Sequence, residues 1–168
     1  MWKKLLVPHD FSACSSHSLR LAIELARIHG SEITLVHVSE LPPNLAPEMR
    51  VIPTGATTPV RVDDYMTGAA LQQLDSIADP LRSEGVSVST LAVTGDVADE
   101  ILAAASAVGA DALVVGTHGR KGFSHLLLGS VAEKLVRRSP VPVVSVRSQA
   151  PEARPTREEN AVEDELAG

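Results

Sequence analysis

Gly116-Thr117-His118-Gly119, then nine residues, then Gly129-Ser130-Val131 is the stretch whose reading decides the fold of this chain. The apolar run 112–115 leads into it and reads as a buried strand, and residues 131–136 follow it and read as a helix. Glycines therefore stand where a strand ends and where a helix begins. Glycine is required where the backbone takes positive φ, or where another group must approach the main chain with no Cβ between. A helix N-terminus presents unpaired N–H groups and the positive end of a dipole, and both suit a phosphate. Ser130 adds a hydroxyl at that point, while Arg120 and Lys121 put two cations in the intervening loop. The stretch reads as a phosphate cradle built mostly from backbone. The plainer alternative is that the glycines only make the turns. No Gly-x4-Gly-Lys-Ser/Thr occurs, so this is not a Walker loop, and the glycines are too far apart for the dinucleotide fingerprint.

Upstream, residues 3–8 read as a first buried strand ended by Pro8, with Asp10 just past its carboxyl end and Ser12 placed to cap a helix. Leu19, Ala22, Ile23 and Ala26 recur at helical spacing until Gly30 stops the helix. Residues 33–38 form a second strand. The segment 39–62 then carries Pro42, Pro43, Pro47, Pro53 and Pro59, which forbid regular structure over most of it. It reads as a loop insertion that is a lid, a partner contact or merely a tolerated length of chain. A helix over 63–84 follows, with Ala70, Leu74, Ile77 and Leu81 on one face. Pro80 predicts a kink or a break near Asp79. Next come a third strand over 86–93 near a sheet edge, a helix capped by Asp96, a fourth strand over 110–116, a helix over 130–138 and a fifth strand over 142–147. Five strands alternating with four helices imply an α/β fold: a doubly wound, Rossmann-like parallel sheet with helices on both faces. The alternation leaves the strand order open.

The chain has 168 residues, the size of one domain, and is 44% hydrophobic but only 2% aromatic, so its core must be aliphatic. That suits helices packed on a parallel sheet. Residues 148–168 hold six acids against Arg154 and Arg157, so −4 of the formal charge of −6 lies there and −2 is left for 1–147. This tail reads as disordered and acidic. The charge argues against nucleic acid as a partner. No apolar run approaches a membrane span, and the apolar start is broken at Pro8 too early for a signal peptide. With Cys14 as the one cysteine, no intramolecular disulfide can form. A cytoplasmic protein is expected.

The spacing Gly116-x2-Gly119-x9-Gly129-Ser130 resembles the nucleotide-binding motif of the universal stress protein family. Residues 114–120 (Val-Val-Gly-Thr-His-Gly-Arg), 127–133 (Leu-Leu-Gly-Ser-Val-Ala-Glu), 140–144 (Pro-Val-Pro-Val-Val) and 5–12 (Leu-Leu-Val-Pro-His-Asp-Phe-Ser) resemble that family too. The resemblance covers residues 1–147 and extends to the ATP-binding branch. It implies a strand order of 3-2-1-4-5, which sets the first and fourth strands side by side. It also implies binding roles for Pro8, His9 through its backbone, Asp10, Val38, Gly116, His118, Gly119, Gly129, Ser130 and Val131, with the segment from Val115 to Arg120 lining the pocket. The ligand implied is ATP, with or without Mg²⁺, the alternatives being ADP, AMP or no nucleotide. Two chains are implied to pair through antiparallel fifth strands, between Val141 and Val146.

The residue chemistry fits such a ligand. Val38 can wall a base, and Asp10 can accept from a base amine or from ribose, although capping the next helix is an equal use for it. His9, His37 and His118 fall near strand ends, but no His-x3-His or Cys-x2-Cys spacing occurs, so no metal site is expected. No nucleophile elbow and no dedicated general base is visible, so catalysis beyond a slow, incidental ATP hydrolysis is not expected. The expectation is a homodimeric, ATP-binding regulator. The alternative is a nucleotide-independent interaction module of the same fold, acting through the proline-rich loop and the tail.

Overall fold

The computed structural model describes residues 2–117 and 129–147. The elements run β1 (Lys4–Pro8), α1 (Ala13–His29), β2 (Glu32–Ser39), β3 (Arg50–Val51), β4 (Val60–Arg61), α2 (Val62–Ser83), β5 (Val88–Thr94), α3 (Val97–Val108), β6 (Ala112–Gly116), α4 (Ser130–Arg138) and β7 (Val143–Val146). Five of the strands form one parallel sheet in the order β5-β2-β1-β6-β7. Counted along the sheet's own strands this is 3-2-1-4-5, the expected order. The tail beyond 147 lies outside the described residues.

Alternation along each strand divides the core between the two faces. Leu5 and Val7 of β1 join Ile33 and Leu35 of β2 against Leu19, Ala22 and Ala26 of α1 and Leu74 and Ala78 of α2. Leu6 and Val36 point the other way and meet Ile101, Ala104 and Ala105 of α3 and Ala132 and Leu135 of α4. Alanines on the inward faces let the helices come close to branched side chains of the sheet, which is how a core without large aromatics fills its volume. Burial on both faces is the reason these strands read as continuous apolar runs.

The helix signals act as read. Ser12 accepts from the Ser15 N–H to cap α1, and Gly30 closes that helix at φ 63°, where a side chain would be strained. Asp96 accepts from the Ala98 and Asp99 N–H groups at the start of α3. Asp111 pins the amino end of β1 by accepting from the backbone N–H of Lys3 at 2.6 Å and of Lys4 at 2.8 Å, and those bonds hold its carboxyl below the usual range. No helix among the described residues is long and apolar enough to cross a membrane.

Most of the proline-rich insertion lacks regular structure, as expected, but a short hairpin lies within it: β3 and β4 pair antiparallel, Arg50 opposite Arg61 and Val51 opposite Val60. The pairing uses the proline-free pieces, and the Val62 N–H bonds to the Met49 carbonyl to close the fold-back. Of the kink or break expected near Asp79, the break is absent and is corrected, since α2 runs through Pro80 to Ser83. Pro80 sits in the last turn, where one missing donor to the Ser76 carbonyl is a local loss, and the Glu84 N–H still reaches the Pro80 carbonyl. Pro80→Ala restores that donor, a gain offset by the more flexible unfolded chain. It is expected to raise the unfolding free energy by about 1–2 kcal/mol, as denaturant titration would register; unchanged or lower stability would mean that the proline is already accommodated at no cost.

Candidate functional site

Strand β1 lies between β2 and β6, and the winding of the chain reverses between β1 and β6. In sheets of this kind the crevice outside the strands' carboxyl ends at the reversal is where ligands lie. Two segments far apart in sequence meet there. Leu5 pairs with Ala112 and Leu6 with Leu113, so β1 and β6 end on the same side of the sheet, and Cys14, just past the turn after β1, packs on Gly116 at the end of β6. On the other side Pro8 pairs with Val36, and the carboxyl end of β2, with Val38, continues past the end of β1. Pro8, Asp10 and Val38 are half-buried, and Val115 is buried in β6.

The turn after β1 is tightly bonded. The His9 N–H extends the ladder to the Val36 carbonyl at 2.8 Å. The His9 carbonyl accepts from Nδ1 of His37 at 2.7 Å, so the His37 ring carries its proton on that nitrogen. Nδ1 of His9 accepts from the Phe11 N–H at 3.2 Å, and Phe11 is held at φ 65°. Asp10 Oδ1 accepts from the Ser12 N–H at 3.1 Å and from Ser12 Oγ at 2.6 Å. The capping use of Asp10 is therefore present, and it fixes the carboxylate at the mouth of α1.

His9 is only 4% exposed. Burial pushes its imidazole below the usual histidine value, with Asp10 pulling upward and His37 downward. With Nδ1 accepting, the neutral ring carries its proton on Nε2, which has no hydrogen-bond partner among the described residues. An unsatisfied buried donor costs about 1–3 kcal/mol. The Phe11 ring lies against both imidazoles, 5.5 Å from His9 and 4.6 Å from His37 between centroids. Nothing in the sequence marks Phe11 for positive φ, since phenylalanine rarely adopts it. The ring of His9 was legible only as a histidine near a strand end.

The glycine stretch is anchored at both ends. The Thr117 N–H bonds to the Val146 carbonyl at 2.9 Å, and the Thr117 carbonyl accepts from the Gly129 N–H at 2.7 Å. Residues 117 and 129 are thereby neighbours, and α4 begins beside the end of β6. Its N-cap, Gly129, has no side chain to accept the first-turn N–H groups. Ser130 is exposed there and Val131 half-buried. His118, Gly119 and Arg120 lie outside the described residues.

The two described glycines of the motif have different explanations. A Cβ on Gly116 would stand 2.7 Å from Sγ of Cys14 and 3.2 Å from that residue's backbone carbon and oxygen. Gly116 is thus required by the close approach of α1 to β6, a reason beside the positive φ, the ligand's approach and the plain turn that the sequence suggested. Gly129 has φ −59° and ψ 149°, a conformation open to any residue. Neither glycine is demanded by positive φ. Cys14 is buried and its Sγ faces the Val146 carbonyl at 3.9 Å, as a packing residue does. Among the described residues no group of three or more His, Cys, Asp or Glu is placed to hold a metal ion.

A doubly wound parallel sheet whose winding reverses between β1 and β6 defines a class of α/β proteins that bind ligands at the switch point. The model of the universal stress protein family matches residues 1–147, and the chain belongs to that family. The chain is similar to the universal stress protein YxiE of Bacillus subtilis, 30% identical over 155 residues, covering 88% of this chain and all of the relative. Its structure is similar to that of MJ0577 from Methanocaldococcus jannaschii, with a TM-score of 0.70, 26% identity and coverage of 89% of this chain and 99% of that one. A universal stress protein of Archaeoglobus fulgidus solved with dAMP matches at a TM-score of 0.56 and 24% identity, covering 85% of this chain and 96% of that one.

The contact of Gly116 with α1 is open to test. Gly116→Ala is expected to cost about 1–3 kcal/mol by overpacking. Cys14→Ala, which removes the sulfur but not the backbone contacts, should recover part of that loss in the double variant. Fully additive costs in thermal unfolding would show that the two positions do not press on one another.

Proposed function

We propose that this protein is an ATP-binding regulator whose nucleotide occupies the crevice between the turn after β1 and the start of α4. The observation that carries this reading is Gly129: its backbone angles do not need glycine, its side-chain-free N-cap opens α4, and α4 begins beside β6 at the switch point. A position that is glycine without conformational need suits a group packed against the main chain. First-turn N–H groups of α4 and the Ser130 hydroxyl would hold phosphates. Asp10 would accept from ribose or base, and Val38 would wall the base. Pro8, the His9 backbone, Val115 and Gly116 would form the floor, and His118, Gly119 and Arg120 would complete the loop. The dAMP bound by the Archaeoglobus relative supports an adenine nucleotide as ligand. A Mg²⁺ ion would be held by the phosphate oxygens. The chain's own groups would bind and orient the nucleotide, and the protein would act through what it binds in the loaded state rather than through turnover.

We further propose a homodimer formed through β7, in a cytoplasmic protein. Strand β7 is the sheet's edge. The carbonyls of Pro142 and Val146 face β6, accepting from Leu113 and Thr117, so by alternation the Ser145 N–H points outward. An apolar edge of this kind is a template for pairing with a second strand, here about a two-fold axis.

Gly129→Val is expected to weaken ATP binding by at least about tenfold, equivalent to about 1.4 kcal/mol, with an unchanged circular dichroism spectrum. Parent-like affinity in calorimetry would place the phosphates elsewhere. Ser145→Pro keeps the bonds to β6 but removes an outward donor. It should convert a dimer into a monomer in sedimentation velocity, and a dimer that survives it would use another surface.

A further inference from the structure

The three residues His9, Phe11 and His37 form a closed set of contacts at the mouth of the proposed site. The His37 ring grips the His9 carbonyl, the His9 ring grips the Phe11 N–H, and the Phe11 ring rests on both imidazoles. Asp10 sits inside this loop of bonds, between the residue whose ring accepts and the residue whose N–H donates. Phe11 at φ 65° is in a region that non-glycine residues keep only when their surroundings over-determine it. The bond from its N–H to His9 is one of those determinants.

We propose that the His9 side chain is a positioning residue for the nucleotide site: its neutral ring, accepting at Nδ1, holds Phe11 and hence Asp10 in place, and a proton on Nδ1 releases them. This rests on the reading that Asp10 contacts the nucleotide. The chemistry is a reversal of polarity at one atom. Neutral His9 offers a lone pair to the Phe11 N–H. Protonated His9 has N–H at both ring positions, so two donors face one another where a hydrogen bond had been. Nε2 carries a proton in both forms, so protonation at Nδ1 gives it no new donor, and among the described residues it has no partner. The ionisable groups acting on the ring are Asp10, next in the chain, which favours the proton, and His37 from β2, which opposes it. Burial outweighs both, so the ring stays neutral at neutral pH and takes its proton only below the ordinary histidine value. The sign follows. A folded-state value below the unfolded one makes the native turn fully stable above about pH 6.5. Stability falls as pH drops from there toward the folded value, and nucleotide affinity falls once the native ring itself takes the proton, at and below the folded value.

The test uses the full chain and two readouts. Without ligand, imidazole nitrogen spectra recorded from about pH 7.5 down through the His9 midpoint should show His9 as the Nε2–H tautomer above that midpoint, with the Phe11 amide shifting at it. A His9 ring protonated on Nδ1 at neutral pH, or one that titrates without moving the Phe11 amide, overturns the proposal. With AMP as probe, affinity of the parent should fall about fivefold or more over the same range. His9→Asn keeps a short side-chain acceptor but does not titrate. Whatever its affinity at neutral pH, it should lack this fall, and the ratio of the two profiles cancels the titration of the ligand's own phosphate. Parallel profiles overturn the proposal. If AMP and ATP fail to bind at any pH, the nucleotide reading itself is wrong, and the imidazole spectra alone decide whether the ring holds the turn.

Discussion

Strand β1 has to be satisfied on four sides at once. Leu5 and Val7 need one helical layer, Leu6 needs the other, and both edges of its backbone need a neighbouring strand. Placing β1 between β2 and β6 meets all four demands, and the rest of the architecture follows from that position. Helices α1 and α2 cover one face and α3 and α4 the other. The winding must then reverse beside β1, and a crevice opens where the loops on either side part in opposite directions. The Asp111 carboxylate, bonded to the first N–H groups of β1, ties the amino end of the same strand to the turn before β6.

The crevice is built by two different uses of small groups. At Gly116 the absence of a side chain lets α1 lie against β6, so that Cys14 and the strand occupy space a methyl group would need. At Gly129 the absence of a side chain leaves the first-turn N–H groups of α4 without a side-chain cap. One glycine serves the packing of α1 on β6, and the other stands at a helix start in a conformation open to any residue. Between them, Thr117 is buried and bonded at both backbone groups, which locks the distance between the strand and the helix.

Much of this was legible in the chain. Local signals act over a few residues, so caps and stops at Ser12, Gly30 and Asp96 could be read directly, and apolar runs or, at β5, apolar–polar alternation marked the strands of the main sheet. The glycine spacing pointed to the same helix start that the structure shows. Pro80 misled because a proline's effect depends on how much helix lies beyond it, and here less than a turn remains. The hairpin of β3 and β4 was hidden because two-residue strands carry no periodicity. The role of Gly116 was hidden because its reason is an atom of Cys14, about a hundred positions away in the chain.

By itself, the sequence determined the alternation of strands and helices, the aliphatic core and a glycine-flanked helix start, because each rests on near-neighbour chemistry and on periodicity. Through resemblance to a family it also pointed to the strand order. Only the tertiary structure decided how the turn after β1 is held. Phe11 takes a backbone angle that its own side chain disfavours, fixed by an imidazole from the same turn and braced by His37 from the adjacent strand. Such a conformation is stable only when groups distant in sequence over-determine it, and that condition exists once the sheet has formed.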